Sequence, residues 1–254
     1  MYKLVVTDLD DTLLRDDKTI SDLTRSVFER LRENGIKVAF ATGRNWKNAL
    51  SLVPLDMFDA TIAQNGAVTY IGEELINAKY ISPEDTLSIM KATVLHGISA
   101  VVETPNMTYS FVDLSDSLGW IRNYRIVGED FWCEDAERIL FSHRCESHSW
   151  FLENCLPPTV GYIVGRDRYA QIMHHKATKM SGILAVCDYY GLTKDEVVAF
   201  GDDTNDISMI EGCGKGIVMR NAIDIVREIA DEVCDTNQND GMARWLIDNI
   251  LGEI

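Results

Sequence analysis

The chain opens on an apolar, β-branched run, "LVVTDLDDTLL" at residues 4–14, whose first half predicts a buried strand and whose second half carries Asp8, Asp10 and Asp11. Residues 21–35, "SDLTRSVFERLRENG", place Leu23, Val27 and Leu31 at helical spacing, with Ser21 as N-cap and Gly35 as the stop. "IKVAFATGR" predicts a second buried strand, a short helix follows from about Asn45, and "ATIAQNGA" predicts a third strand from Ala60. Strands that are nearly continuously apolar, alternating with helices, imply a parallel sheet covered on both faces. The expected class is α/β, with a parallel, Rossmann-like core.

The alternation stops at about residue 82 and resumes near 178, so a second unit is expected between them. Its first helix is marked in "SPEDTLSIMKATVLHG" by Ser82 as cap, Pro83 in the first turn, acids after it and Gly97 at the end. "ISAVVE", "MTYSFV", "RILFSH" and "TVGYIV" predict strands, with helical segments near 115–123 and 146–154, which makes an α+β module. The α/β pattern returns in a helix over "KMSGILAVCDYYG", the strand "EVVAFG", a helix over "DISMI", the strand "GIVM", and helices at 221–230 and 240–251. The expected division is 1–82 with 178–254 as core and 83–177 as insertion.

The 254 residues are 46% hydrophobic and 25% charged, an ordinary globular composition. No apolar run approaches the roughly 20 residues that span a bilayer, and the first strand begins too early for a cleavable leader, so a cytoplasmic protein is expected. The net charge of −16 disfavours nucleic acid and anionic membranes as partners, since both require a concentrated positive field. The six cysteines, Cys133, Cys145, Cys155, Cys187, Cys213 and Cys234, include no CxxC pair and read as reduced, mostly structural thiols.

Loops from distant parts of an open parallel sheet meet beyond the C-terminal ends of its strands. There the sequence places Asp8 and Asp10 after the first strand, Thr42, Gly43 and Arg44 after the second, and Asp202 and Asp203 after "EVVAFG", with Lys179 opening the preceding helix. Carboxylates crowded beside apolar packing need a cation, and hard oxygen ligands suit Mg²⁺ shared with a substrate phosphate. With the ion bound, Asp8 can attack phosphorus, Asp10 can exchange a proton with the leaving alcohol and with water, Thr42 can donate to the transferring group, and Lys179 can neutralise it.

Taken together, these motifs resemble those of haloacid dehalogenase superfamily phosphatases of the Cof type, which carry a C2 cap. "DLDDTLL" is similar to the family's first motif, "ATGR" to its second, "TKMSGI" to its third and "FGDDTNDISMI" to its fourth, with "NGA" at 65–67 and "GIVMRNA" at 216–222 as further matches. The resemblance implies Asp8 as nucleophile, Asp10 as acid/base, Thr42 and Lys179 as phosphate binders, and Mg²⁺ held by the Asp8 carboxylate, the Asp10 carbonyl and Asp202. Asp206 is implied as a supporting acid of the metal site, Asn205 as a neighbour of Lys179 or phosphate, and Gly43, Arg44 and Asn65 as further phosphate- or substrate-binding positions. Asp203 stands where the family commonly has Gly or another small residue, and the insertion is somewhat short for a Cof cap.

The resemblance also makes the insertion a cap that shields the site and reads the leaving group. It holds all five histidines (His96, His143, His148, His174, His175) and Trp120, Trp132 and Trp150. These side chains are either its core and surface, or Arg122, Arg125, His143, Arg144 or Tyr109 bind substrate. The function expected is a Mg²⁺-dependent phosphatase of small phosphorylated metabolites, such as sugar phosphates, pyridoxal phosphate or flavin mononucleotide, acting through an aspartyl-phosphate. A phosphomutase or phosphotransferase is the alternative, and a phosphoacceptor module without turnover a further one.

Overall fold

The computed structural model describes residues 1–252 except 129, 131–133 and 167, so Trp132 and Cys133 lie outside the described residues. The chain forms two compact units: Met1–Ala78 with the chain from Thr178 onward, and Lys79–Ala177.

In chain order, β1 (Leu4–Thr7), α1 (Asp22–Glu33), β2 (Lys37–Ala41), α2 (Trp46–Leu50), β3 (Ala60–Ala63), β4 (Val68–Ile71) and β5 (Glu74–Ala78) open the first unit. The second unit holds α3 (Pro83–Leu95), β6 (Ala100–Glu103), β7 (Thr108–Ser110), β8 (Arg125–Ile126), β9 (Arg138–Ser142), α4 (Glu146–Asn154), β10 (Val160–Val164) and β11 (Tyr169–His174). The first unit is completed by α5 (Lys179–Tyr190), β12 (Val197–Gly201), α6 (Ile207–Gly212), β13 (Lys215–Val218), α7 (Asp224–Ile229), β14 (Glu232–Val233) and α8 (Gly241–Leu246).

The first unit is built on an eight-stranded sheet in the order β14-β13-β12-β1-β2-β3-β4-β5. Its strands from β14 to β3 run parallel, and β1 lies between β12 and β2 with Thr7 opposite Phe200 and Phe40. Alternate residues serve opposite faces. Val5, Val38, Phe40, Val198 and Phe200 meet α1 and α8 through Phe28, Leu31, Trp245 and Leu246, whereas Leu4, Val6, Ala39 and Ala199 meet α5, α6 and α7 through Ile183, Val186, Met209 and Val226. Burial on both faces explains the unbroken apolar strands.

The antiparallel hairpin β4–β5 was not expected from the sequence. The third strand is also shorter than expected: Gln64 and Asn65 turn left-handed (φ 48 and 54), ending it at Ala63 and sending the chain back as β4.

The second unit carries a six-stranded sheet in the order β10-β11-β9-β6-β7-β8. One face packs on α3 and α4 through Ile89, Met90, Phe151 and Leu152. Over 115–123 the expected helix is replaced by turns in which Leu114 C=O accepts the N–H groups of Ser117 and Leu118. Leu114 and Leu118 have helical spacing because one turn presses both against Val101 and Leu140 on the other sheet face. Strand β11, "YAQIMH", was missed, although Ala170 and Ile172 alternate toward the core as a strand should. Among the described residues, no helix is long and apolar enough to cross a membrane.

Candidate active site

The parallel register places three strand ends side by side. Asp8 is the first residue beyond β1 and donates its N–H to Phe200 C=O at 2.9 Å; Thr42 follows β2 and donates to Ile62 C=O at 2.8 Å; Asp202 follows β12. Beyond Asp8 the chain makes a turn closed by Leu14 N–H on Leu9 C=O at 2.8 Å, with Asp10 extended and Asp11 left-handed at φ 59. Asn221 Nδ2 holds that turn through Asp11 C=O at 2.8 Å. Leu9 and Leu13 go into the core, which anchors the loop between its acids.

Lys179 is the first residue of α5, whose N-cap Thr178 accepts Ser181 N–H while Ser181 Oγ takes Thr178 N–H. Its ammonium has no solvent exposure and donates to Asp8 Oδ1 at 2.5 Å and to Asp206 Oδ1 at 2.6 Å. Asp206 Oδ2 accepts the N–H groups of Asp202 (2.8 Å) and Asp203 (3.0 Å), so this side chain braces the loop after β12. Gly201 makes the brace possible: a Cβ there would lie 2.5 Å from Asp206 Cγ. Asp203 Oδ1 accepts Thr204 N–H at 2.8 Å, a local cap consistent with an acid at this position. Thr12 Oγ1 donates to Asp202 Oδ1 at 2.7 Å.

Asp8, Asp202 and Asp206 are all buried, and each offers a carboxylate oxygen within 4.8 Å of the others. Burial pushes the Asp8 carboxyl well up from its ordinary value, with Asp206 and Asp202 adding to the rise and Lys179 opposing it. For Lys179, burial works against the charge, but Asp206 and Asp8 outweigh it and raise its pKa. Three carboxylates against one ammonium leave two negative charges uncompensated, the charge a divalent cation carries. The donor set is all oxygen, which fits Mg²⁺. Asp206 has one oxygen on Lys179 and the other on two backbone N–H groups, so both of its oxygens are engaged within the protein.

Asp10 lies in a second cluster. Arg44 Nε donates to Asp10 Oδ2 at 2.6 Å and Nη2 to Oδ1 at 2.7 Å, and Lys18 Nζ donates to Oδ1 at 2.9 Å. Burial acts to raise this carboxyl, but hydrogen bonds from Arg44 and Lys18 outweigh it and hold it below its ordinary value. The metal contact expected at Asp10 is its carbonyl, and the carboxylate is held by Arg44 and Lys18. Thr42 is buried and its Oγ1 accepts Arg44 N–H at 3.2 Å. Asn205 Nδ2 donates to Asn65 Oδ1 at 2.9 Å, so Asn205 pairs with Asn65 and not with Lys179. Gly43 lies against both, a Cβ there falling 3.3 Å from Asn65 Oδ1 and 3.6 Å from Asn205 Nδ2.

Lys18, Thr12 and Asn221 were missed in the sequence. Their contacts are side-chain reaches from turns and loops, for which hydrophobic spacing has no signal; the turn residues in "RDDKTIS" were the one cue to Lys18. In the second unit, Arg122, Arg125 and Arg144 are exposed; Arg144 donates to Ser142 Oγ and Ser117 C=O, and His143 Nε2 lies 2.9 Å from Ser149 Oγ.

Residues 5–246 match the family model of haloacid dehalogenase-like hydrolases. The chain is similar to the 5-amino-6-(5-phospho-D-ribitylamino)uracil phosphatase YitU of Bacillus subtilis, with 29% identity over 96% of each chain. It is 27% identical to the phosphoglycolate phosphatase of Methanopyrus kandleri, over 97% of this chain and 96% of that one. In fold it is similar to the HAD subclass IIB sugar phosphatase BT4131, with a TM-score of 0.84 and 22% identity over 96% of this chain and 97% of that one. With its motifs at these strand ends and the family match spanning nearly its whole length, the chain belongs to the haloacid dehalogenase-like hydrolases.

Proposed function

We propose that this phosphatase of the haloacid dehalogenase family is Mg²⁺-dependent and hydrolyses phosphomonoesters of small metabolites through an aspartyl-phosphate on Asp8. The observation that carries the reading is the buried contact of Lys179 with both Asp8 and Asp206, beside Asp202. An ammonium so placed holds the nucleophilic carboxylate in one orientation and remains charged to meet a phosphate dianion.

Asp8 attacks phosphorus, forming an Asp8 O–P bond as the bond to the alcohol oxygen breaks, and Asp10 gives that oxygen a proton. In the second half-reaction Asp10 takes a proton from water as the water oxygen bonds to phosphorus and the Asp8 carboxylate leaves. Thr42 Oγ1 and Lys179 Nζ donate to the phosphoryl oxygens, with Gly43, Arg44, Asn65 and Asn205 around them. Asp8, the Asp10 carbonyl and Asp202 would hold the ion, with Asp206 behind them. When bound, Mg²⁺ supplies the positive charge that lets a dianion approach these acids.

The named relatives act on a ribitylaminouracil phosphate and on phosphoglycolate, so chains similar to this one over nearly their whole length take different leaving groups. Groups directed at phosphate see the same dianion in every substrate and cannot discriminate. We therefore assign selection to residues 79–177, with Arg122, Arg125, His143 and Arg144 as the side chains to substitute.

Acid-quenching a turnover mixture and mapping the phosphorylated peptide tests the mechanism: label on Asp8, absent from Asp8→Asn, is expected. Turnover with no acid-stable label under any quench time, together with an active Asp8→Asn enzyme, would overturn it.

A further inference from the structure

We propose that the cavity between α1 and the turn at 54–57 is a second binding site, and that it takes a zwitterion with an apolar body, the chemistry of a free α-amino acid with an apolar side chain. The site lies within the first unit and does not depend on the phosphatase mechanism.

The cavity has a volume of about 380 Å³, in the range of small-ligand sites. One wall is a single stripe of α1, because Arg25, Phe28, Glu29 and Arg32 recur at the three- and four-residue spacing that aligns side chains on a helix face. Asp56 and Met57 face them from the turn.

Part of this lining is fixed before any ligand arrives. Phe28 is buried and meets Phe58 edge-on with ring centroids 5.8 Å apart, and Phe58 meets Phe40 of β2 in the same way at 4.9 Å. Arg32 Nη1 donates to Asp56 C=O at 2.6 Å, and its Nε lies 3.7 Å from Asp59 Oδ2. A preorganised floor and wall lower the ordering cost of binding.

Arg25 and Glu29 are the groups left to meet a ligand. Arg25 is half-buried, and its Nη1 donates to Met57 Sδ at 3.1 Å, a thioether and so a weak acceptor. Glu29 stands one helical turn further on, about 5–6 Å away at Cβ, yet among the described residues neither side chain is in an ion pair. Arg25 can take a carboxylate through two parallel N–H bonds and Glu29 an ammonium, the two charges that an α-amino acid carries on one carbon. The side chain of the ligand then covers Phe28 and the Met57 thioether.

Charge selects the class. Arg25 and Arg32 against Glu29 and Asp56 make the lining neutral overall, so it does not concentrate phosphorylated anions. A carboxylate without an ammonium would sit unanswered beside Glu29, and an amine without a carboxylate would leave Arg25 on its sulfur.

Isothermal titration calorimetry of the full chain with L-phenylalanine tests the site. Saturable binding of one molecule per chain is expected, with glycine, which lacks the apolar body, weaker by about tenfold or more. The same loss of about tenfold or more is expected for 3-phenylpropanoate, which lacks the ammonium, and for 2-phenylethylamine, which lacks the carboxylate. Arg25→Gln should bind L-phenylalanine no better than 2-phenylethylamine, and Glu29→Gln no better than 3-phenylpropanoate. Both variants should keep the wild-type kcat, which reports an intact fold.

No saturable heat with L-phenylalanine up to about 10 mM would overturn the proposal. Binding that neither substitution changes would place the ligand elsewhere and overturn it too. Equal affinity of the wild-type chain for 3-phenylpropanoate and L-phenylalanine would overturn the zwitterion assignment, since Glu29 would then have no part in binding.

Discussion

Lys179 Nζ lies 2.6 Å from Asp206 Oδ1, and neither side chain has any exposure to solvent. Removing one partner of a buried pair leaves a charge that nothing hydrates. Lys179→Met is therefore expected to destabilise the metal-free protein by about 3–5 kcal/mol, and pairing it with Asp206→Asn to recover part of that loss. Denaturant midpoints measure both; a loss below about 1 kcal/mol would show that the cluster relaxes around the vacancy.

Asp8→Asn should abolish turnover and yet stabilise the protein in EDTA at neutral pH. The folded Asp8 carboxyl holds its proton more tightly than the unfolded one, so its ionised form costs stability at every pH above the unfolded value. The amide can still accept from Lys179. Melting temperatures of the two proteins in chelator decide it, and a lower value for Asp8→Asn would mean that the bond to Lys179 outweighs the repulsion from Asp202 and Asp206.

Mg²⁺ should be required for phosphate release and should stabilise the fold by mass action, by about 2.7 kcal/mol at a hundredfold excess over Kd, with a matching rise in melting temperature. Asp202→Asn should remove both effects. Full activity in EDTA would exclude the ion from the chemistry.

Gly201→Ala puts a methyl 2.5 Å from Asp206 Cγ, and Asp206 cannot swing away without releasing Asp202 N–H, Asp203 N–H and Lys179. Both stability and kcat should fall, kcat by about tenfold or more because a displaced donor no longer meets the phosphoryl group. A variant with wild-type kcat would show that the brace is dispensable.

In the second unit, burial lowers the pKa of His148 from its ordinary 6.5, with the charges of His143 and Arg144 adding to the effect. The unfolded chain then takes up the proton first, so stability should begin to fall as pH drops through about 6.5 and level off below the folded value. His148 Nδ1 also accepts Arg144 N–H at 3.2 Å, a bond that protonation at that nitrogen removes. His148→Gln should flatten the pH profile of amide exchange in β9 and α4; an unchanged slope would assign it to another group.

Asp8, Thr42 and Asp202 were legible because each directly follows a buried strand, and parallel strands end together. Lys179 was legible as the first residue of the helix over "KMSGILAVCDYYG". The β4–β5 hairpin was missed because the expected third strand ran on through "QNGA" to residue 67, although Asn65-Gly66 and the left-handed Gly72 mark the two turns. The pairing of Asn205 with Asn65, 140 residues apart, and the clamp of Lys18 on Asp10 depend on tertiary placement that no local pattern encodes.

Strand β1 is central in the finished sheet because β12 covers one side of it, Leu4 opposite Val197. During synthesis β12 emerges only after the whole second unit and α5. Until then β1, which the finished fold buries along its entire length, is the open edge of a half-made sheet, a template for unwanted pairing. The arrival of β12 closes that edge and carries Asp202 to Asp8 in the same event. A chain that stops short of β12 therefore leaves β1 as an open edge and has no Asp202 beside Asp8.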